Sequence, residues 1–194
     1  MQTVTRQIIA CQQLFMQDNA VFSVQWTVIP QNFASRLAPG YLLHRYLAHI
    51  RRVTLSLIRP VQRADGVEFR LLWTRLSLLS FTSSDLWGSD RTLTLQISGG
   101  MLVQPTECRR GELSFGVEQL PEGTRVIVRL SDYCPLLLGS SPPSNARKWF
   151  YRLTQAYLHR FVTVGFLGKV FREMAGKPVR IELIKAQERD GEEI

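Results

Sequence analysis

Cysteine, histidine and lysine are all scarce in this chain of 194 residues, and each scarcity removes a class of function. Its three cysteines, Cys11, Cys108 and Cys134, are an odd number at wide, unpatterned spacing, so they read as reduced, buried thiols rather than a disulfide framework. The three histidines, His44, His49 and His159, offer no ligand set. His44 and His49 stand five apart, which separates them on a helix, and His159 has no cysteine or aspartate beside it. No metal site and no cofactor is therefore expected, and His159 reads as a surface residue on the polar side of its helix.

Long apolar runs are missing too. No stretch of about 18 uncharged apolar residues occurs, so no bilayer-spanning helix is expected, and any membrane contact is peripheral. Polar residues at Gln2, Gln7, Gln12, Gln13, Gln17 and Asp18 interrupt the first twenty positions, leaving no apolar core of a secretory signal. The expected setting is cytoplasmic. No Gly-x-Ser-x-Gly elbow, phosphate-binding glycine loop or His-Glu-x-x-His helix is present.

Charge is the one compositional oddity. Arginine carries most of the net +8, since lysine occurs only at Lys148, Lys169, Lys177 and Lys185. The arginines are scattered, with Arg51-Arg52 and Arg109-Arg110 as the adjacent pairs, and no basic arm occurs, which argues against nucleic acid.

What is present is a series of strands followed by one long helix. Val4 to Ala10 favours a strand, and Leu14 and Phe15 then suit a short helix. Phe22 to Ile29 alternates like a strand, although a linking helix is an alternative there. From Asn32 to Ile50 the spacing is helical, with a break at Pro39-Gly40. Val53, Leu55 and Leu57 alternate up to the turn Ala64-Asp65-Gly66, a hairpin signal. Val67, Phe69, Leu71 and Trp73 follow, and a phase shift near Thr74 suggests a bulge before Leu76 and Leu78. Leu93, Leu95 and Ile97 make a further strand, and Leu113 to Val117 faces Val126 to Leu130 across Pro121-Glu122-Gly123. One apolar and one polar face per strand is the mark of an antiparallel sheet.

The cover for that apolar face is a helix of about eight turns. It is expected to start at Ser144 or Asn145 and to stop at Gly176 before Pro178. Phe150, Leu153, Tyr157, Phe161, Val164, Leu167, Phe171 and Met174 recur at three and four residues, the pattern of a buried stripe. Gly165 and Gly168 interrupt it, either for close strand packing or to leave room for something else. Val179 to Ile184 suits an edge strand.

Ile8-Ile9-Ala10 before Leu14-Phe15, the stretch Gly111 to Phe115, and Leu120 to Val126 ahead of the long helix resemble the START-like or helix-grip superfamily (SRPBCC), which includes polyketide cyclase and lipid-transfer proteins. The resemblance covers nearly the whole chain. It implies an α+β fold in which a curved antiparallel sheet grips a long C-terminal helix, with residues 1–187 as a single START-like domain and 188–194 as a flexible acidic tail. It also implies a hydrophobic cavity between sheet and helix.

The residues expected to line that cavity are Trp73, Arg75, Phe81, Phe115, Tyr157, Phe161 and Val164: large rings that either fill a core or face a ligand, and one charged group near a strand end. Asp132 is the other charged residue near a strand end. The expected function is binding of a small hydrophobic molecule, such as a lipid, quinone or polyketide-like compound, as carrier or sensor. Two alternatives stand beside it. One is a cyclase or dehydratase using the same cavity, which needs a titratable group pointing inward. The other is a basic-surface protein binding RNA, an anionic membrane or an acidic protein.

Overall fold

Strand pairing follows the alternation of the sequence most cleanly in its central hairpin. Phe115 sits opposite Val128 and Val117 opposite Val126, and Leu120 meets Gly123 across a turn of Pro121-Glu122. In this computed structural model, which describes residues 5–30, 37–83, 91–107, 110–139, 143–176 and 179–194, these strands belong to one sheet. Its members are β1 (Thr5–Phe15), β2 (Val21–Ile29), β3 (Ile58–Arg63), β4 (Gly66–Leu71), β5 (Ser77–Thr82), β6 (Thr92–Gly99), β7 (Glu112–Leu120), β8 (Gly123–Tyr133), β9 (Val179–Lys185) and β10 (Glu192–Glu193). The order is β10-β1-β2-β8-β7-β6-β5-β4-β3, and every pair is antiparallel except β9, which runs parallel to β1. Helix α1 (Pro39–Val53) packs on β3, β6 and β7, and the C-terminal helix packs on β1, β2 and β9.

The C-terminal helix starts and stops where the sequence places it. The Ser144 hydroxyl accepts from the Arg147 N–H at 3.4 Å, a side-chain cap for an otherwise unpaired donor. Gly176 closes it in the left-handed conformation, φ 62°, with its N–H donating to the Arg172 carbonyl. Between these ends, α2 (Asn145–Tyr151) and α3 (Tyr157–Ala175) are joined by a π-helical turn over Arg152–Ala156. Such wide turns are rare and cluster at functional sites.

Several expectations are corrected. Leu14 and Phe15 are not helical; β1 runs through them, because both are buried and pair with Phe22 and Val21. Residues 22–29, by contrast, are the strand that their alternation implies. Pro39 opens α1 rather than breaking a helix, since its fixed φ suits the first turn and its missing N–H costs nothing there; Asn32 and Phe33 lie outside the described residues. Val53 ends α1, and Leu55 and Ser56 turn with φ of 51° and 65°, so the strand begins only at Ile58. The apparent bulge near Thr74 is a reversal: Leu72 has φ 51°, and β4 turns back into β5.

Residues 188–194, read as a flexible acidic tail, make contacts with the sheet and with the C-terminal helix. The Gln12 side chain accepts from the Glu188 and Arg189 N–H groups at 2.9 and 3.2 Å and donates to the Arg189 carbonyl at 2.7 Å. Arg189 lies over the Phe22 ring, Glu188 pairs with Arg129, and Glu192 pairs with Lys148 and Arg152. A short stretch that buries little is held here by polar contacts instead of apolar ones.

Both mid-helix glycines are accounted for by close neighbours. A Cβ on Gly168 would lie 2.5 Å from Ile181 Cδ1, and one on Gly165 would lie 3.3 Å from His49 Nε2. Gly168 admits β9 and Gly165 admits the histidine ring.

Gly176→Ala should destabilise the chain by about 1 kcal/mol, because alanine pays for the left-handed φ that glycine adopts freely. A fall in melting temperature of roughly 2–4 °C by circular dichroism is the expected reading for a chain of this size; an unchanged value would show that the cap does not hold the helix end.

Candidate functional site

A chamber of about 120 Å³ lies between the sheet and the C-terminal helix, at the π turn. Ile58, Phe69, Leu79, Leu102 and Leu130 form its sheet side, Tyr46 and Ile50 of α1 close one flank, and Tyr151, Gln155, Leu158, His159 and Val162 project from the helix. Tyr133, near the end of β8, completes it. The wall is therefore mostly apolar, with polar groups concentrated along Tyr133, Gln155 and His159.

Those polar groups differ in how well they are satisfied. The Tyr133 hydroxyl donates to the Leu102 carbonyl at 2.8 Å and lies 3.4 Å from Gln155 Oε1. Burial holds its pKa well above the usual phenol value, with the neighbouring Tyr151 adding to the effect. Tyr46 is pushed up to about 12 by burial, and its hydroxyl lies 3.4 Å from Thr163 Oγ1. His159 Nε2 is out of solvent and has no hydrogen-bond partner, although the rest of the residue is only half-buried. Burial pulls its pKa down to about 4, so the ring is neutral at pH 7. A neutral ring with one unpaired nitrogen is a directional polar contact kept ready inside an apolar wall.

A polar seam runs beside the chamber, beneath α3. Gln13 Nε2 donates to the Ala156 carbonyl at 3.2 Å, at the end of the π turn, and Gln7 Nε2 reaches the Leu167 carbonyl at 3.4 Å and Thr27 Oγ1 at 3.3 Å. The first strand thus holds the helix through side-chain amides, while Val162, Phe166, Leu167 and Val170 bury against the apolar part of the sheet. The architecture is a helix grip. Among the described residues no helix of this grip is long and apolar enough to cross a membrane, and no cluster of three potential metal ligands occurs.

No protein-family model matches the chain, and no curated protein matches it. Solved structures do show similarity. CalU16 from Micromonospora echinospora, in solution, is 14% identical, covers 89% of this chain and 78% of its own, and has a TM-score of 0.43. The Aha1 dimer from Colwellia psychrerythraea is 14% identical over 78% of this chain and 93% of its own, TM-score 0.42. Ara h 8.0201 is 12% identical over 80% and 98%, TM-score 0.41. At such identities and TM-scores these likenesses say nothing of ligand, partner or reaction.

The seven residues expected to line the cavity fall into three other places. Trp73 and Arg75 lie in the β4–β5 turn, where Trp73 is 76% exposed and the Arg59 guanidinium stacks 3.7 Å from its ring centroid. Phe81 and Phe115 are core: Phe81 packs edge-on against Phe69, and Phe115 against Tyr46. Tyr157, Phe161 and Val164 do come together, on the outward side of α3, in a groove shared with Ile181 and Leu183 of β9. The reason is that α3 carries apolar residues on nearly every side, so spacing alone does not choose the buried face. His159, read as a surface residue, instead turns its unpaired nitrogen inward. Tyr151, Gln155 and His159 stand at intervals of four along the helix, and that polar-tipped row was the available signal. Asp132, at φ 52° in β8, does not line the chamber, and Cys108 lies outside the described residues.

The histidine sets a pH dependence. Because the folded-state pKa of His159, about 4, lies below the unfolded value near 6.5, the unfolded chain takes up the proton first. Stability should be full above about pH 6.5 and decline as pH falls through that value toward 4, by up to about 3 kcal/mol from this group. His49, lowered first by burial and then by Lys169, adds in the same direction. Urea denaturation at several pH values should give a shallower slope for His159→Phe than for wild type across this window; equal slopes would place the His159 ring in solvent.

Proposed function

We propose that the chain binds a compact, mostly apolar molecule carrying one polar group in the chamber at the π turn, as a carrier or sensor. The observation that carries this reading is the unpaired Nε2 of His159 in a mostly apolar wall, on the side where Tyr133 and Gln155 also bring polar groups. A buried polar atom without a partner costs about 1–3 kcal/mol, and a ligand hydroxyl would remove that cost. Size refines the class. Ligand pockets usually measure about 300–1,000 Å³, whereas a cavity of about 150 Å³ takes a single benzene ring. The chamber matches one ring, so a lipid, quinone or polyketide-like ligand would have to part the helix from the sheet at the π turn.

Binding is favoured over a cyclase or dehydratase reaction on chemical grounds. No carboxylate among the described residues lines the chamber, and a histidine with a pKa near 4 is a weak base at neutral pH. The basic-surface reading keeps the net charge of +8, but part of the arginine is paired locally: Arg45 with Glu173, Arg63 and Arg70 both with Glu68, Arg110 with Asp18, and Arg125 with Glu118. The unbridged thiol of Cys11 accords with a reducing, cytoplasmic setting.

Native mass spectrometry of freshly purified protein, against the denatured mass, should reveal a small bound molecule. In parallel, phenol should shift the His159 and Tyr133 resonances at lower concentration than toluene, and Val162→Phe, which fills the chamber, should abolish both the extra mass and the shifts. A clean mass together with resonances unmoved by either ring compound would refute the proposal.

A further inference from the structure

Helix α3 is apolar on two sides and only one of them is covered. Val162, Phe166 and Val170 press on the sheet, whereas Tyr157 and Phe161 are 67% and 55% exposed. A helix apolar all round belongs in an interior, so the outward side lacks its cover. That side continues onto β9. Tyr157, Phe161, Val164, Ile181 and Leu183 share one open groove of about 510 Å³, with Arg160 as its one charged lining residue. β9 lies at the rim, paired with β1 along one edge and, among the described residues, with no strand along the other. An exposed strand edge of this kind is a template for one more strand.

The strand Val179–Lys185, VRIELIK, is complementary to itself. Antiparallel pairing with a second copy centred on Ile181 sets each Arg180 opposite Glu182 of the other chain, Val179 opposite Leu183, and Ile181 opposite its own copy. Centring the pair on Glu182 would set two carboxylates face to face, which is unfavourable. Of these two registers the charge pattern favours the first. A two-fold axis through that register stands perpendicular to the sheet and keeps both α3 helices on the same side, so the two outward apolar stripes meet above the seam.

We propose that the chain forms a two-fold dimer by antiparallel pairing of β9 with β9 about Ile181, with the outward faces of α3 covering each other. The occupant is a second copy because the edge supplies both halves of its own charge pairs. This surface is separate from the chamber, and the two readings stand or fall independently.

Sedimentation velocity of the full chain at concentrations on the order of 0.1 mM should show a dimer. Arg180→Glu should raise the dimer dissociation constant roughly tenfold or more by opposing like charges at both symmetric positions. The double exchange Arg180→Glu with Glu182→Arg should restore it. Ile181→Asp should give a monomer with an unchanged circular dichroism spectrum. A wild-type monomer at that concentration overturns the proposal, as does a dimer indifferent to the charge exchanges. A monomer that binds anionic phosphatidylglycerol vesicles, and loses that binding with Phe161→Asp, would also overturn it and assign the face to a membrane surface.

Discussion

Most apolar side chains of the sheet face the helices and need a roof, and the rest of this structure follows from how that roof is divided; Leu14, Phe22, Val24 and Ile127 form a smaller cluster apart from it. α1 covers the strands on one side and the C-terminal helix covers β1, β2 and β9 on the other. Phe115, Val126, Val128, Phe166 and Leu167 lie between, at or below 1% exposure. Truncating such a side chain typically costs about 3–5 kcal/mol for an aromatic residue, so the roof is the principal source of cohesion. The two helical covers meet through Tyr46, whose ring packs edge-on against both Phe115 and Phe166. Where the helix widens into its π turn, the roof lifts, and the chamber occupies the gap.

Much of the strand plan was legible because it rests on a period of two. β6, β7 and β8 each bring apolar side chains to the core at alternate positions, and a slip of one residue would turn them to the wrong face. β2 alternates too, but its Phe22 and Val24 join Leu14 and Ile127 in a separate cluster while Ser23, Gln25 and Thr27 lie on its other face. The helix ends were legible because Ser144 and Gly176 do local chemistry that needs no tertiary context. Backbone reversals at residues without glycine were not. Leu55, Ser56 and Leu72 adopt positive φ, which costs side-chain-bearing residues energy and leaves no mark in composition. Trp73 and Arg75 were lost to that effect: the alternation passes straight through the turn that carries them outward.

The site was less legible than the fold. Phe81 and Phe115 are large and inward, yet they fill the core beside the chamber instead of lining it. The helix misled more deeply, because two apolar stripes compete on it and both have the right spacing. The stripe with Tyr157 and Phe161 is as regular as the one with Val162 and Phe166. Only the amide ties from Gln7 and Gln13, and the two glycines that admit Ile181 and His49, decide which side faces the sheet. Those contacts join residues far apart in the chain, which is why sequence spacing could not reveal them.

The parallel seat of β9 against β1 and the hold of Gln12 on Arg189 impose an order of events on folding. Gln12 and Arg189 are separated by 177 residues, so the outer edge of β1 must wait for the end of this sequence to emerge from the ribosome. Until then β1 has β2 alone beside it, with one edge open. Closing so long a loop is slow relative to local hairpins. The nascent chain therefore passes its longest interval with its first strand half-paired, and that is the stage at which a chaperone would find something to hold.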